Sequence, residues 1–269
     1  ATIEVQDEAL CPRYVARVIK NVRIAPSPRW MQRALYAAGM RAINNIVDIT
    51  NYIMLETGHP MHAFDLGMVE GNEIHVRRAR AGERLRTLDG KERETTAEML
   101  MSADGRKGTG FAGVVGGEES EITDGTQHVL FECAAFDRTS IRLPSRALGL
   151  RTESSGRFEK GVSPATAREA IDRACQLVNL LDAGDVVEEV YDHYPNPKKQ
   201  QPIKCSARRI VDRVGVEISP ERMAEILRAL LFSVEQAGDS LTVTAPDFRQ
   251  DIENEADISE EVLRIYGYE

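Results

Sequence analysis

The sequence predicts an α+β protein: a larger domain with a mixed or antiparallel sheet flanked by helices, followed by a small α+β domain that is winged-helix-like. Three observations lead to this fold class. Residues 74–136 have strand patterning, with Asp89-Gly90 and Asp104-Gly105 as hairpin turns. Helical patterns precede and follow this stretch. A proline-rich break then separates a shorter set of helices and strands, and a length of 269 residues accommodates two domains.

The first predicted elements are a strand and a helix. Residues 14–22 are rich in β-branched side chains, which favour a strand. Ser27 is expected to be the N-cap of the helix and Pro28 its first residue. The helix should end at Gly39, because glycine tolerates the left-handed conformation that closes many helices.

A second helix is predicted for residues 45–56, with Gly58 as its C-terminal stop. Short polar side chains, Asn44, Asp48 and Asn51, lie on one of its faces, where a solvated face would more commonly carry Glu, Lys or Arg. His62 follows in the loop and can converge with them. Two interpretations remain open from residue types alone: a functional pocket, or capping residues with an ordinary hydrogen-bonded histidine.

The rest of the first domain alternates between strands and helices. Residues 114–117 predict a glycine-bearing turn, and residues 128–136 predict a buried strand. Helices are expected at 138–147, although Pro144 interrupts the pattern, and at 163–181.

A linker and a small second unit complete the chain. Residues 191–202 contain three prolines and few apolar side chains, which is typical of a linker. Beyond it the patterns predict a short strand, helices at 207–214 and 220–231, a hairpin at 233–245 and a helix at 255–265. Helices followed by a hairpin resemble a winged-helix arrangement, which by itself implies no particular ligand.

Composition excludes several classes of protein. A net charge of −9 and a pI near 5.3 disfavour non-specific binding of nucleic acid, so any contact with RNA must be local or use charge from elsewhere in a larger protein. The four cysteines form no CxxC motif, which argues against a zinc framework or a disulfide scaffold and for reduced thiols in the cytoplasm. No apolar run approaches the ~18 residues of a membrane helix. We expect the chain to be a piece of a larger protein.

Acidic residues gather near the end of the chain. Asp257, Glu260 and Glu261 share one helical face at spacings i, i+3 and i+4, and Asp251 precedes them. Carboxylates in this number can hold a hard divalent ion. They can equally be an acidic first turn that complements the helix dipole, and spacing favours this simpler interpretation.

Several separated motifs carry a family resemblance. The segment NNIVDITNYIMLETGHPMHAFD, residues 44–65, resembles the signature of the editing domain of the bacterial phenylalanyl-tRNA synthetase beta subunit. The resemblance continues through CPRYVARVI, SPRWMQRAL, GVVGGEESE, VLFECAAFD, RTESSGRFEKGVSP and, near the end, EEVLRIYGY. It covers essentially the whole chain in order, which is far more specific than one short motif.

The resemblance implies a proofreading hydrolase that removes tyrosine wrongly attached to the tRNA for phenylalanine. Its implied catalytic residues are Thr50, Asn51 and His62, around the ester and the attacking water. Glu132 matches the position that binds the tyrosine hydroxyl, and Gly116 matches a wall where a side chain would block the amino acid. The remaining implied substrate-binding positions are Thr152 and Ser154.

Two positions depart from the pattern of that family. Ser154 stands where alanine is common, so its added hydroxyl leaves its own role open. Ala42 stands where proline is common, which concerns the entry to the second helix.

The resemblance also implies domains, partners and cofactors. Residues 1–192 would be the editing and tRNA-binding domain, 193–202 the linker, and 203–269 the small winged-helix-like domain. The intact enzyme would be a heterotetramer of two alpha and two beta subunits. It would hold Mg²⁺ at Asp251, Asp257, Glu260 and Glu261, at the contact with the alpha subunit. ATP would be used by the alpha subunit, and this chain alone is expected to bind neither ATP nor Mg²⁺ appreciably.

A non-catalytic scaffold or RNA-docking module is the competing hypothesis. The winged-helix-like unit and basic pairs such as Arg77-Arg78 and Lys198-Lys199 favour it, and the net charge of −9 opposes it. Glu132 and His62 discriminate between the two hypotheses, since a docking module does not require that pair to face one small pocket.

Overall fold

The computed structural model describes residues 1–197 and 199–268, and it separates into two compact units, Ala1–Pro197 and Lys198–Glu269. Lys198 lies outside the described residues. It belongs to the predicted linker and to the basic pair Lys198-Lys199. The predicted α+β class with mixed and antiparallel sheets is confirmed. No helix in the described part of the chain is long and apolar enough to cross a membrane.

The strands and helices of the first unit are, in chain order, β1 (Thr2–Val5), β2 (Arg13–Lys20), α1 (Arg29–Ala37), α2 (Asn45–Thr57), β3 (His62–Asp65), β4 (Glu73–Arg78), β5 (Arg84–Arg86), β6 (Glu92–Glu94), β7 (Leu100–Ala103), β8 (Gly108–Phe111), β9 (Val115–Gly116), β10 (Val129–Ala135), α3 (Arg138–Ala147), α4 (Glu153–Phe158), α5 (Ala167–Leu180) and β11 (Asp185–His193). Those of the second unit are β12 (Ile203–Ser206), α6 (Ala207–Val214), α7 (Pro220–Ala229), β13 (Ser233–Ala237), β14 (Ser240–Thr244) and α8 (Glu255–Tyr266).

Two main sheets build the first unit. One is antiparallel with strand order β11-β2-β10-β3, and the other has the order β1-β4-β7-β8-β9, in which only the β1–β4 pair is parallel. A small hairpin, β5–β6, forms its own two-stranded sheet and buries Leu85 in the same core as the five-stranded sheet. Alternation along the strands of the antiparallel sheet gives it two different faces.

The two faces of the antiparallel sheet contribute to two hydrophobic cores. Val15, Ile19 and Phe131 belong to one core together with buried residues of α1, α2 and α5. Tyr14, Ala16 and Leu130 have the opposite parity and belong to the other, which contains buried residues of β4, β7 and β8. Residues on this second face of β10 are therefore directed toward the five-stranded sheet.

Local signals explain how α2 begins and ends. The side chain of Asn44 accepts a hydrogen bond from the amide of Val47 at 2.9 Å, which caps the first turn. Gly58 ends the helix with a φ of 76°, as the sequence predicted for this glycine. These two residues fix the length of the helix that carries Thr50 and Asn51.

The start of α1 differs from the prediction. Pro28 occupies the N-cap position and no side chain caps the helix, so the assignment of Ser27 as N-cap was wrong. The hydroxyl of Ser27 instead donates to the carboxylate of Asp48, a residue of α2. A tertiary partner therefore takes the hydroxyl that local sequence assigned to the cap.

Two further expectations required correction. The predicted turn at 114–117 contains the short strand β9, which pairs with β8, and the turn itself precedes it. The predicted linker at 191–202, placed at 193–202 in the domain assignment, begins too early because β11 continues through His193 and pairs with β2. Asp192 of this strand forms an ion pair with Arg13 of β2 at 2.8 Å.

The second unit agrees closely with its predicted elements. Its sheet has the order β12-β14-β13, and α6, α7 and α8 bury Ile210, Met223 and Ile258 against it. The side chain of Ser219 caps α7 by accepting from the amide of Arg222 at 3.2 Å, and Pro220 is the first helical residue. Strong caps explain why these boundaries were predictable.

A buried histidine joins three segments of the first unit. The side chain of His59 is fully buried, with Nε2 2.9 Å from the carbonyl oxygen of Ala134 and Nδ1 2.9 Å from the hydroxyl of Thr166. Burial lowers the pKa of His59 to about 4, so the ring is neutral near pH 7. Its Nε2–H then donates to the carbonyl of Ala134, and Nδ1 lies within hydrogen-bond distance of the Thr166 hydroxyl, which also contacts the carbonyl oxygen of Ser163 at 3.0 Å.

We predict that acidification destabilises the first unit through His59. The unfolded chain binds the proton below a pKa of about 6.5 and the folded chain only below about 4, so stability falls as the pH decreases between these values. The contribution is about 3 kcal/mol at pH 4. Urea unfolding of the wild type and of His59→Gln across this range measures it. A pH slope equally steep in the variant would contradict the assignment.

Candidate functional site

A cavity of about 230 Å³ opens in the first unit, between the antiparallel and five-stranded sheets. Six of the seven predicted catalytic and substrate-binding residues line it: Asn51, His62, Gly116, Glu132, Thr152 and Ser154. Thr50 does not line it. The cavity is smaller than the ~300–1,000 Å³ of pockets for drug-sized ligands, a size suited to one amino-acid side chain.

Strand register brings Glu132 and His62 together. They are direct partners across the antiparallel pair β10–β3, so both side chains leave the same face of the sheet. Side chains in this relation have Cβ atoms roughly 5 Å apart. Two residues 70 positions apart in the sequence thus become neighbours on the cavity wall.

Glu132 is held by hydrogen bonds from two other side chains of the first unit. The phenol of Tyr14 donates to its Oε2 at 2.6 Å, and the hydroxyl of Ser102 also bonds to the carboxylate. Burial raises the pKa of Glu132 to about 7, although the bonds from Tyr14 and Ser102 oppose the rise. A carboxylate has room for about four hydrogen bonds, so lone pairs remain for a further donor.

Tyr14 and Ser102 are site residues that the sequence interpretation missed. Tyr14 stands two positions from Ala16, the residue of β2 that pairs with Glu132, and so lies on the same face as the carboxylate. The sequence could have indicated that Tyr14 and Glu132 share a face of the sheet only if the register of β2 with β10 had been known.

His62 has an unpartnered ring nitrogen. Its Nε2 is buried and makes no hydrogen bond among the described residues. Burial lowers the pKa of His62 to about 4, and the ring packs edge-on against Phe64 with centroids 4.4 Å apart. A neutral imidazole at the wall of a cavity, with one nitrogen unsatisfied, is suited to receive or orient a polar group of a ligand.

Gly116 lies against the ring of His62. A Cβ atom added to Gly116 would be 2.6 Å from Cε1 and 3.0 Å from Nε2 of His62. The family resemblance implied that a side chain here would block the amino acid. The geometry adds that it would first collide with the histidine.

Thr152 and Ser154 fasten α4 to the loop before β9. The hydroxyl of Thr152 donates to the carbonyl of Val114 at 2.8 Å and caps α4, and that of Ser154 donates to the carbonyl of Gly113 at 3.1 Å. Gly113 has a φ of 69°, and a Cβ there would be under 3.0 Å from Ile141 and Phe136. The unusual hydroxyl of Ser154 therefore has a local structural partner.

The polar residues of α2 divide into two groups. Asn44 caps the helix, and Asp48 accepts from the amide of Ile43 at 2.7 Å and from Ser27, so both fix the entry of α2. The hydroxyl of Thr50 donates to the carbonyl of Val47 at 2.8 Å. Of the polar residues of this helix and its cap, Asn51 alone is found on the cavity wall.

The four carboxylates predicted to hold magnesium belong to the second unit. Both oxygens of Glu261 accept from Arg249 at 2.9 Å, and Arg264 adds a bond at 2.7 Å. Asp251 is also paired with Arg249, at 2.6 Å. These bonds, with Arg249 first, lower the pKa of Glu261 to about 2.

The remaining two predicted ligands point to other tasks. One oxygen of Asp257 accepts from the amides of Glu253 and Asn254 as part of a capping box, and Glu260 is exposed. Within the part of the chain that the structure describes, no group of three or more His, Cys, Asp or Glu residues could hold a metal ion. In this arrangement the guanidinium of Arg249 occupies the carboxylates of Asp251 and Glu261, so a divalent ion would have to replace it there, and the magnesium site of the intact enzyme stays a prediction.

We predict that Gly116→Ala displaces the ring of His62 without unfolding the protein. The added methyl cannot share space with the imidazole, so the ring should move toward solvent and the pKa of His62 should rise from about 4 toward 6.5. NMR titration of the histidine signals measures this. Gly156→Ala is the control, since a Cβ at Gly156 meets no atom within 4 Å. An unchanged pKa in Gly116→Ala would rule out the contact.

Comparison with known proteins extends these observations to a family. The model for the B3/4 domain matches residues 10–182, and the model for the tRNA synthetase B5 domain matches residues 203–268. A solved N-terminal fragment of the phenylalanyl-tRNA synthetase beta subunit from Pyrococcus horikoshii has a TM-score of 0.44 and 14% identity, covering 99% of this chain and 75% of that one. The family assignment rests on the sequence matches.

Relatives that align along the whole length of this chain agree with the domain matches. Phenylalanine–tRNA ligase beta subunits of Clostridium acetobutylicum, Moorella thermoacetica and Bacillus subtilis are 49%, 48% and 43% identical to the chain over 99%, 100% and 100% of its length. The chain spans about a third of those proteins (34%, 33% and 33%). The family resemblance of the sequence motifs is confirmed: the chain matches the B5 domain over residues 203–268, aligns along its length with about a third of phenylalanine–tRNA ligase beta subunits, and belongs to the B3/4 domain family.

Proposed function

We propose that the first unit hydrolyses the ester of tyrosine wrongly attached to the tRNA for phenylalanine. The observation that carries this proposal is the pairing of Glu132 and His62 on one wall of a small cavity. One group suits a phenol hydroxyl, and the other suits an ester and a water molecule.

Glu132 would select tyrosine through its hydroxyl. The carboxylate keeps lone pairs beyond those used by Tyr14 and Ser102, and a tyrosine hydroxyl can donate to one of them. Phenylalanine would leave that acceptor buried without its bond, which is the arrangement that discriminates most strongly between two ligands differing by one hydroxyl. Tyrosine would thus be held and phenylalanine released.

His62 would orient the attacking water. Its low pKa of about 4 makes the ring a weak base at neutral pH, which favours a role as hydrogen-bond acceptor over proton abstraction. Asn51, on the adjacent helix wall, offers an amide that can donate to the carbonyl oxygen of the ester as negative charge develops there.

The reaction needs no covalent intermediate on the protein. Water adds to the ester carbonyl, and collapse of the tetrahedral intermediate breaks the bond to the ribose oxygen, which takes up the proton that water released. The products are free tyrosine and tRNA with its terminal hydroxyl restored. A neighbouring ribose hydroxyl of the substrate would assist the proton transfer.

The proposal extends to the intact protein. There we infer an alpha-subunit partner that uses ATP to ligate phenylalanine to its tRNA, an assembly of two alpha and two beta subunits, a magnesium ion at their contact, and a cytoplasmic location. The similarity to phenylalanine–tRNA ligase beta subunits supports this, and the chain covers only about a third of their length.

Glu132→Ala should abolish the preference for tyrosine. We expect hydrolysis of tyrosyl-tRNA to slow roughly 10- to 100-fold, the loss associated with a hydrogen bond to a charged group. Release of labelled tyrosine from the mischarged tRNA measures the rate, and phenylalanyl-tRNA gives the discrimination. Equal rates for wild type and variant would remove Glu132 from the proposal. His62→Ala should slow hydrolysis of the tyrosyl and phenylalanyl esters to a similar extent. That result would distinguish orientation of the attacking water by His62 from selection of tyrosine by Glu132.

Selection should also strengthen as the pH rises through about 7. The pKa of Glu132 is raised to about 7, so the ionised and stronger acceptor gains population between pH 6 and 8. Tyr14→Phe removes a bond that favours the ionised form, which should move this midpoint to higher pH. The ratio of tyrosyl to phenylalanyl ester hydrolysis at each pH, corrected for the uncatalysed reaction, is the measurement. An identical midpoint in the variant would contradict it.

A further inference from the structure

An unusual charge distribution surrounds α1. From Ala9 to Val47 the sequence contains seven Arg and Lys residues but no Asp or Glu, although the whole chain carries 43 acidic residues and a net charge of −9. Within this segment Arg13, Arg17 and Arg23 form ion pairs with acids elsewhere in the first unit. The segment is therefore a local basic region on an acidic protein.

Three arginines of this region have no acidic partner. Arg29 and Arg33 on α1 and Arg41 just after it are exposed, and within the described residues they make no ion pair and no side-chain hydrogen bond. Most arginines of the chain are paired, so three unpaired ones in a span of thirteen residues, 29–41, leave uncompensated positive charge at one place.

Aromatic rings lie beside these arginines. Tyr36 follows Arg29 and Arg33 at a spacing that puts all three on one face of α1, opposite the buried Met31 and Leu35. Its side chain is 59% exposed, and Trp30 next to this face is 44% exposed. Trp30 is braced by Tyr52 of α2, with ring centroids 5.3 Å apart at 87°. Rigid, exposed aromatic rings between cations are typical of surfaces that bind single-stranded nucleic acid.

This surface borders the candidate site. Met40, three residues after the end of α1, lines the cavity, and its amide donates to the carbonyl of Leu35 in the last turn of α1. Tyr52, the support of Trp30, is the chain neighbour of Asn51 on the cavity wall. A strand of nucleic acid lying on α1 would thus have its end near the cavity.

We propose that the α1 face, by which we mean Arg29, Arg33 and Tyr36 on the exposed side of α1 together with the adjacent Trp30 and Arg41, binds the single-stranded 3′ end of tRNA and directs it to the cavity. The arginines contact backbone phosphates, and bases stack on the two rings. The direction toward the cavity rests on the proposed function, whereas the RNA contact itself does not require hydrolysis.

A second cationic surface offers a matched comparison. Arg142, Arg146 and Lys160 line a groove beside α3 and α4, and they also form no ion pair among the described residues. That groove has Arg151 and Glu159 in contact and no aromatic side chain in its lining. Like the α1 face, this groove carries unpaired positive charge, but it has no exposed aromatic rings on which bases could stack. Comparing the two surfaces therefore distinguishes general attraction to charge from binding that also needs the rings.

The test is fluorescence anisotropy of a labelled 12-nucleotide RNA ending in CCA, titrated with the whole 269-residue chain at several salt concentrations. We expect Arg29→Ala/Arg33→Ala/Arg41→Ala to weaken binding at least tenfold and to reduce the salt slope by about 2, since each lost phosphate contact on a single strand removes about 0.7. Tyr36→Ala should weaken binding about tenfold, and Tyr36→Phe should restore it because the ring is retained. Thermal unfolding of each variant confirms folding, which the exposure of these side chains favours.

The matched triple variant Arg142→Ala/Arg146→Ala/Lys160→Ala should change the affinity less than threefold. Equal losses in the two triple variants, or wild-type affinity in Tyr36→Ala, would overturn the proposal in favour of general charge attraction. No binding by the wild type at 50 mM salt would also overturn it and would point to a protein partner for the two exposed rings. Glu132→Ala should bind the RNA normally, so loss of hydrolysis and loss of RNA binding are distinguishable.

Discussion

The candidate site depends on one register, that of β10 between β2 and β3. With this pairing Glu132 faces His62 on one side and lies diagonal to Tyr14 on the other. A slip of one residue would turn Glu132 toward the helical core and bring apolar Phe131 to the cavity. The two hydrophobic cores prevent such a slip, because each requires its own parity of residues from β10. The position of the chemistry is therefore a consequence of how the fold buries its apolar side chains.

The same arrangement explains why the polar groups of the site have altered proton affinities. Burial raises the pKa of Glu132 and lowers that of His62, so both favour their neutral forms more than in water. Glu132 has two internal donors, whereas Nε2 of His62 has no partner among the described residues. Glu132 is thus an acceptor already held in position, whereas His62 still lacks a hydrogen-bond partner. Buried polar groups left unpaired in native proteins commonly mark ligand-binding or catalytic sites.

Sequence patterns predicted those parts of the fold that local chemistry determines. Asn44 and Gly58 delimit α2, Ser219-Pro220 starts α7, and Asp104-Gly105 turns β7 into β8, all through contacts within a few residues. The predictions were wrong where a distant partner decides: Ser27 bonds to Asp48, and β11 extends into the predicted linker because it pairs with β2. Motif resemblance located six cavity residues, but Tyr14 becomes a site residue only through the register of β2 with β10, and Ser102 only because the two sheets pack against each other.

The phenol of Tyr14 has a further consequence. It presents to Glu132, permanently and from inside the protein, the same chemical group that a tyrosine substrate would present from the cavity. The carboxylate therefore already accepts a hydrogen bond from a phenol of the protein itself. An incoming phenol would add a further hydrogen bond without displacing those from Tyr14 and Ser102. A cavity enlarged or reshaped for other aromatic amino acids would therefore best keep this internal phenol, because it is one of the two side chains that hold the carboxylate and keep it ionised to lower pH.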